Sequence, residues 1–277
     1  MAEQRFDVWS SGAAYERYMG RWSRTVARDF LTWLDRPAGL RWLDVGCGTG
    51  ALSALVTERY GPRRVLGCDR SEAFVTTAAR TTAPAEAPRF VVGDALALPV
   101  HDGVFDVAIS GLTLNFLPEP AAAVRELTRA VHPGGLVAAY VWDYGDGMGF
   151  LHAFWTAAAA TDPAAAALDE ARRFPGWGPE TLHSLWTDAG LTDVSTIPVD
   201  IPTVFADFTD LWSPFLTGQG PAPGYVTTLT PAARDRLRDA LHALLPIAPD
   251  GSVPLMARAW AVRGVRPRGN HPPSRSG

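Results

Sequence analysis

Lysine is absent from this sequence: all 25 of its basic residues are arginine. That excludes chemistry that needs a side-chain primary amine, including the lysine of a phosphate-binding P-loop and a Schiff-base lysine. Alongside abundant Ala, Gly and Pro, the bias is in keeping with GC-rich coding. Cysteine is nearly absent, with only Cys47 and Cys68, no CxxC pair and no companion histidine cluster. A disulfide framework, a structural zinc site or any other metal site is therefore not expected. The formal net charge of −4 comes without any basic run, so the sequence offers no footprint for a nucleic-acid backbone. No apolar stretch approaches the roughly 18 residues that mark a membrane span, and the N-terminal MAEQRFDVWSSG lacks a basic-then-apolar signal layout. The expectation is a cytoplasmic monomer or homodimer. What remains is ordinary globular composition, 47% apolar and 19% charged, in 277 residues. That is enough for one large α/β domain, or for one domain carrying a sizeable insertion.

The hydrophobic period changes several times. Residues 13 to 35 carry Tyr15, Tyr18, Trp22, Val26 and Phe30 at helical spacing, with a break near Gly20. From Leu40 the pattern alternates between short apolar runs and amphipathic stretches. Strands are expected at Leu40–Val45, Arg64–Cys68, Arg89–Val92, Val104–Ser110 and Leu136–Trp142. Helices are expected at Ala51–Tyr60, from Ser71, and at Ala121–Val131, with Pro133-Gly134-Gly135 as a turn into the fifth strand. Five strands alternating with helices predict βαβ units, and so a parallel sheet with helices on both faces. After Trp142 the rhythm breaks into a Gly-rich hinge and an Ala-rich helical stretch. A helix follows from Pro179, then strands at Thr192–Ile201 and Pro254–Arg263. Between these strands lies a segment rich in Pro, Gly and aromatics, with a helix opening at Thr230-Pro231.

The stretch WLDVGCGTG (Trp42–Gly50) closes the first strand with an acid and places glycines at alternate positions, 46, 48 and 50. Ligands of open parallel sheets bind beyond the carboxyl ends of the strands. Taken alone, Gly46, Gly48 and Ala51 also satisfy the dinucleotide fingerprint, which leaves an NAD-linked oxidoreductase open. Three features separate the readings. Asp44 would set a carboxylate against a pyrophosphate, whereas a ligand amino group welcomes it. Gly93-Asp94-Ala95 ends the third strand with an acceptor suited to an adenine amino group. Pro133-Gly134-Gly135 leads to a fifth strand that continues the same nucleotide half.

LDVGCGTG, Cys68-Asp69, Gly93-Asp94-Ala95, FDVAIS and HPGG, in this order, resemble the class I S-adenosylmethionine-dependent methyltransferases, in particular the ubiquinone-biosynthesis-like small-molecule group called type 11. The resemblance runs from about residue 13 to 143, and more loosely to residue 263. It implies a Rossmann-like, doubly wound α/β fold with a seven-stranded, mostly parallel sheet, an antiparallel last strand and an α-helical cap made of insertions. The implied organisation is N-terminal helices over the cofactor site (1–36) and a core (37–143 and 179–264). Cap or substrate-binding insertions (144–178 and 203–252) and a disordered tail (265–277) complete it. The implied cofactor is S-adenosylmethionine, released as S-adenosylhomocysteine. Asp44 and the backbone of Gly46, Cys47, Gly48 and Gly50 would line its methionine part. Asp69 would take the ribose diol, Arg70 would lie along the adenine, and Asp94 and Ala95 would hold the adenine edge. Ser110, Gly111 and Leu112 would line the methionine and sulfonium. Tyr15, Tyr18 and Arg21 would close over the cofactor, with Arg21 as partner for its carboxylate.

Methyl transfer is an in-line displacement in which the cofactor supplies the reactivity and the protein supplies alignment and exclusion of water. The insertions carry Phe150, Phe154, Trp155, Phe174, Trp177, Phe205, Trp212, Phe215 and Tyr225. These suit an aromatic, quinone-like, polyketide or terpenoid acceptor, methylated at O, C or N, or else they are the cap's own core. His152, Asp143 and Tyr144 are the candidate catalytic bases. A cofactor-binding relative that has lost catalysis is a further alternative.

Overall fold

The computed structural model describes residues 19–81, 88–218 and 220–268. The expectations on Tyr15, Tyr18 and the end of the tail lie outside these residues. In chain order the elements are α1 (Arg21–Leu34), β1 (Arg41–Val45), α2 (Ala51–Tyr60), β2 (Arg64–Asp69), α3 (Glu72–Thr81), β3 (Arg89–Val92), β4 (Phe105–Gly111), α4 (Pro120–Ala130) and β5 (Val131–Trp142). They continue as α5 (Gly149–Thr161), α6 (Glu170–Arg173), α7 (Pro179–Asp188), β6 (Thr192–Phe205), α8 (Phe208–Trp212), α9 (Pro221–Thr228), α10 (Pro231–Leu244) and β7 (Val253–Val265). The chain divides into two compact units. The first contains Leu31–Val141, Pro179–Ile197 and the chain from Ala261. The second contains the chain up to Phe30, Trp142–Gly178 and Pro198–Trp260.

The seven strands are ordered β3-β2-β1-β4-β5-β7-β6. β1 pairs in parallel with β2 and β4, β2 with β3, and β4 with β5. β7 runs the other way: Gly134 donates its N–H to the Arg266 carbonyl, and Arg266 donates back to Gly135. The fold class is thus a mostly parallel, doubly wound sheet whose last strand is antiparallel. The middles of the central strands are apolar, as burial on both faces demands; Trp42, Leu43, Val107, Ala108 and Ile109 are at most 1% exposed. On the helical layer, Trp186 of α7 donates its indole N–H to the Val137 carbonyl at 2.9 Å, which ties α7 to β5.

The strand boundaries differ from expectation at HPGG. Phe105 pairs with Val131 and Val107 with Leu136, so β5 begins five residues early and His132-Pro133-Gly134-Gly135 loops out as a bulge. Gly134 has φ +90, and a Cβ on Gly135 would lie 2.9 Å from the His132 carbonyl oxygen. The glycines are therefore required by the bulge itself. The Arg266 guanidinium donates to the carbonyls of Thr128, Arg129 and Val131, covering the C-terminus of α4.

In the second unit the aromatic residues form a core. Phe154 stacks on Phe215 with centroids 4.4 Å apart and meets Trp155 edge-on at 5.0 Å. Trp22 and Phe150 both meet Phe205 edge-on. The Trp155 indole donates to Glu170, a buried carboxyl that burial raises to about 7. Two helices were not expected. α8 is capped by Asp207, whose carboxylate accepts from the Asp210 N–H at 2.8 Å, and α9 starts at Pro221. Both carry a standard start signal, an N-cap acid or a first-turn proline, hidden in a segment whose Pro and Gly content reads as loop.

Candidate functional site

The first unit brings together the carboxyl ends of β1 to β4, and Asp44 is the most deeply placed polar group there. It sits in register between Gly67 of β2 and Ile109 of β4 and is 1% exposed. Ser53, on the first turn of α2, donates its hydroxyl to Oδ2 at 2.6 Å. Oδ1 is buried without a hydrogen-bond partner in the protein. Burial pushes the Asp44 carboxyl up to about 7, opposed by the Ser53 hydrogen bond and reinforced by nearby Asp69. A buried acceptor with no partner is costly in a closed core, and it makes sense where a ligand supplies the donor.

The glycines are used unequally. Gly46, Gly48 and Gly50 all have positive φ, +75, +54 and +85. A Cβ on Gly46 would lie 2.3 Å from the Thr113 hydroxyl oxygen, so this glycine is fixed by packing against the loop after β4. Thr113 also donates to the carbonyls of Gly46 and Gly111, at 3.2 and 3.0 Å. At Gly48 a Cβ would meet nothing within 4 Å, leaving bare backbone beside open space. The Cys47 thiol beside it is buried and pushed far above its ordinary pKa by that burial, so it is no nucleophile.

Asp69, expected at a ribose, already holds the turn. Its Oδ2 accepts the Gly48 N–H and its Oδ1 the Ser71 N–H, both at 2.9 Å. A carboxylate has about four acceptor positions, so two remain for a diol. Arg70 next to it is exposed. Asp94 is exposed and its Oδ1 accepts from the Leu96 N–H at 2.9 Å, so it closes its own turn as well; Ala95 is half-buried in that turn.

After β4, Ser110 is fully buried with its hydroxyl unpartnered. A Cβ on Gly111 would meet the Tyr140 hydroxyl at 2.6 Å. Leu112 holds φ +55, a left-handed conformation rare outside glycine, and donates its N–H to the Tyr140 carbonyl. Strain of this kind concentrates where a loop is held for a ligand. Asn115 is 6% exposed and its amide nitrogen is buried without a partner. Three buried polar atoms at the ends of β1 and β4 thus await a partner: Asp44 Oδ1, Ser110 Oγ and Asn115 Nδ2. Ser53, Thr113 and Asn115 carry much of this geometry, and none was singled out from the sequence. Ser53 could have been found, since it lies on an apolar helix face nine residues after the acid it supports.

The remaining candidates belong to the second unit. Arg21 spans Asp210, with Nη1 at 3.1 and 3.0 Å from its two oxygens, and its guanidinium lies 4.4 Å from the Trp22 ring. Its charge is therefore already matched by a carboxylate of its own unit. His152 is exposed on α5. Asp143 and Tyr144 are half-buried and line one pocket with Phe174 and Trp177. Among the described residues no group of histidine, cysteine or acidic side chains is arranged to hold a metal ion. No described helix is long and apolar enough to cross a membrane.

Comparison with known proteins places this arrangement. The methyltransferase-domain family of type 11 matches residues 43–139, the stretch from β1 to β5. The 2-methyl-6-phytyl-1,4-hydroquinone methyltransferase of Synechocystis sp. is 33% identical, covering 54% of this chain and 54% of its own. The demethylmenaquinone methyltransferase of Staphylococcus aureus is 34% identical, covering 48% of this chain and 54% of its own. The chain thus spans about half the length of these curated relatives. In fold, it is similar to a phosphoethanolamine N-methyltransferase of Haemonchus contortus, solved with phosphomonomethylethanolamine and S-adenosylhomocysteine. That likeness has a TM-score of 0.59 at 17% identity and covers 92% of this chain and 57% of that one. Residues 43–139, with their acid-and-glycine turn and the polar ends of β1 to β4, are thus the part of this chain that matches the methyltransferase-domain family of type 11.

Proposed function

We propose that the protein transfers the methyl group of S-adenosylmethionine to a small aromatic, hydroquinone-like acceptor. The observation that carries the cofactor half is the Asp44 carboxyl, buried with one oxygen lacking a partner, at the head of a turn whose Gly48 backbone borders open space. An amino group suits that oxygen. A pyrophosphate does not, because a carboxylate would face a second anion, and this weighs against a nicotinamide dinucleotide.

The cofactor residues fit in chemical kind. Asp44 would receive the methionine amino group, while the unpartnered Ser110 hydroxyl and Asn115 amide offer polar contacts to the rest of the methionine portion. Asp69 would use its remaining acceptor positions for the ribose diol, and Asp94 with Ala95 would border the adenine. When bound, S-adenosylmethionine supplies an electrophilic methyl carbon on a cationic sulfonium, and nothing further is needed for electrophilic activation. The protein's work is then to hold the cofactor's amino end through Asp44, keep the turn rigid through Asp69 and Thr113, and exclude water. The acceptor half is supported by the two relatives reported above, both named for quinone-type substrates. It is also supported by the half-buried rings near Asp143.

The test is calorimetry with S-adenosylmethionine, S-adenosylhomocysteine and NAD, followed by S-adenosylhomocysteine release with a panel of hydroquinones, phenols and amines. Binding of the two adenosyl compounds but not NAD, with turnover of a hydroquinone, is the expected result. Binding of NAD alone overturns the cofactor reading. Cofactor binding with turnover only of amines overturns the acceptor reading. Cofactor binding without turnover of any class would favour a relative that has lost catalysis.

A further inference from the structure

The rings of the second unit fall into two groups. Most of those described are core or lie elsewhere on the unit, whereas Tyr144, Phe174 and Trp177 are half-buried and together line a pocket of about 190 Å³. Tyr144 and Phe174 lie with centroids 5.6 Å apart at 35°, forming one aromatic wall. Ala171 and the backbone of Gly176 form other parts of the lining, so side chains fill little of the remaining space. An apolar cavity of about 150 Å³ accommodates a benzene, so this volume suits one substituted six-membered ring.

The pocket has one anionic group. Asp143 Oδ1 accepts the N–H groups of Gly145 and Asp146 at 3.2 and 3.4 Å, long bonds that orient the carboxylate without saturating it. The lining supplies aromatic faces and a hydrogen-bond acceptor, so the complementary ligand carries a donor on a ring. It is flat, one ring wide and able to donate a hydrogen bond.

We infer that this pocket binds a single aromatic ring bearing a hydroxyl group, with the ring against Phe174 and Trp177 and the hydroxyl donating to Asp143. Identifying that ring as part of the methyl acceptor rests on the function proposed above; the binding itself does not. The carboxylate then acts on the ligand directly, as a hydrogen-bond acceptor that selects hydroxylated rings over their ethers.

The experiment uses methylhydroquinone as probe and its dimethyl ether as control, both followed by saturation-transfer NMR on the intact protein. The hydroquinone should bind the parent protein and the ether much more weakly. Asp143→Asn should weaken the hydroquinone about tenfold, the effect of losing one hydrogen bond to a charged group, and leave the ether unchanged. Because Asp143 also shapes its own turn, Ala171→Phe is the second variant. It fills the pocket without touching the carboxylate and should abolish probe binding. Equal binding of both probes, unchanged binding in Ala171→Phe, or displacement of the probe by tetramethylammonium overturns the inference. Calorimetry with S-adenosylmethionine on the same proteins separates the two readings. Cofactor binding with an indifferent probe sinks the pocket alone. Probe binding without any cofactor binding sinks methyl transfer and leaves the pocket standing.

Discussion

In the first unit the candidate site is marked by polar atoms that are buried without a partner; in the second unit the pocket is marked by aromatic rings that are half-exposed. Asp44, Ser110 and Asn115 are each under 9% exposed and each keeps an unpartnered atom. Tyr144, Phe174 and Trp177 keep part of their ring surface uncovered instead. The contrast teaches what to look for in each setting. A buried polar atom without a partner is costly and therefore informative, while an aromatic ring is informative only when it is not buried.

The largest effect should come from the second unit's core. Phe154 is fully buried, stacked on Phe215 and edge-on to Trp155. Phe154→Ala should cost about 3–5 kcal/mol in a urea titration, as large-to-small changes in cores do. Phe174→Ala, a few turns of chain away, should cost less than about 1 kcal/mol and act on ligand binding instead. If the two variants lose equal stability, the division between core rings and pocket rings is wrong.

The next effect belongs to Asp44. Its folded-state pKa, about 7, stands above the ordinary carboxyl value. The protonated form is therefore the one that folding favours. Its contribution to stability is complete below about pH 4 and is lost as the pH rises through 7. Without cofactor, the protein should lose on the order of 2–4 kcal/mol across that window, read as a falling melting temperature. Asp44→Asn should flatten the slope, because the amide does not titrate, and should weaken S-adenosylmethionine binding by about tenfold or more. A slope that survives in Asp44→Asn would have to be assigned elsewhere, and the buried Glu170 is the first candidate.

The glycines of the turn offer a smaller and sharper comparison. Gly46→Ala meets both the strain of positive φ and the Thr113 side chain at 2.3 Å, for an expected cost of about 2–3 kcal/mol. Gly48→Ala meets only the strain, about 1–2 kcal/mol, because nothing lies within 4 Å of the added carbon. Yet Gly48→Ala should damage cofactor binding at least as much, since its backbone is the one left open. Chemical denaturation and calorimetry read the two effects separately. Equal stability for both variants would show that the Thr113 contact yields easily.

These contrasts mark what could be seen from residue order alone. β1 to β4 were legible because each is a short apolar run closed by an acid or glycine, and the elements they form follow locally. Asp44 was legible as well, since an acid before a glycine turn is a local pattern. Ser53, Thr113 and Asn115 were not, because their roles depend on the pairing of β1 with β4 and on the placement of α2, which are long-range. For the aromatic residues the sequence left both a pocket and a core open, for a different reason. Residue type and spacing are the same for Phe154 and Phe174, and only packing distinguishes 0% exposure from a ring that lines a pocket. The HPGG bulge hid in plain view: its glycines read as a turn, while the strand runs through them.

The smallest effect should arise at the opposite ends of the same strands, where no ligand is expected. Asp106, at the start of β4, takes two bonds from the Arg41 guanidinium at 3.0 and 2.8 Å and faces the His132 ring at 3.0 Å. The Arg41 hydrogen bonds hold its carboxyl at about 2, below the usual range. Here the sign is the reverse of Asp44: the stabilisation is complete above about pH 4 and disappears as the pH falls through 2. Arg41 and His132 are each 38% exposed, so water screens the pair and the contribution should be only about 1 kcal/mol. Asp106→Asn should lower stability by that amount at pH 7 and by nothing at pH 2, while leaving S-adenosylmethionine binding untouched. If that variant also lost cofactor affinity, the two ends of the sheet would be coupled, and the polar groups at the ligand end could no longer be treated as acting alone.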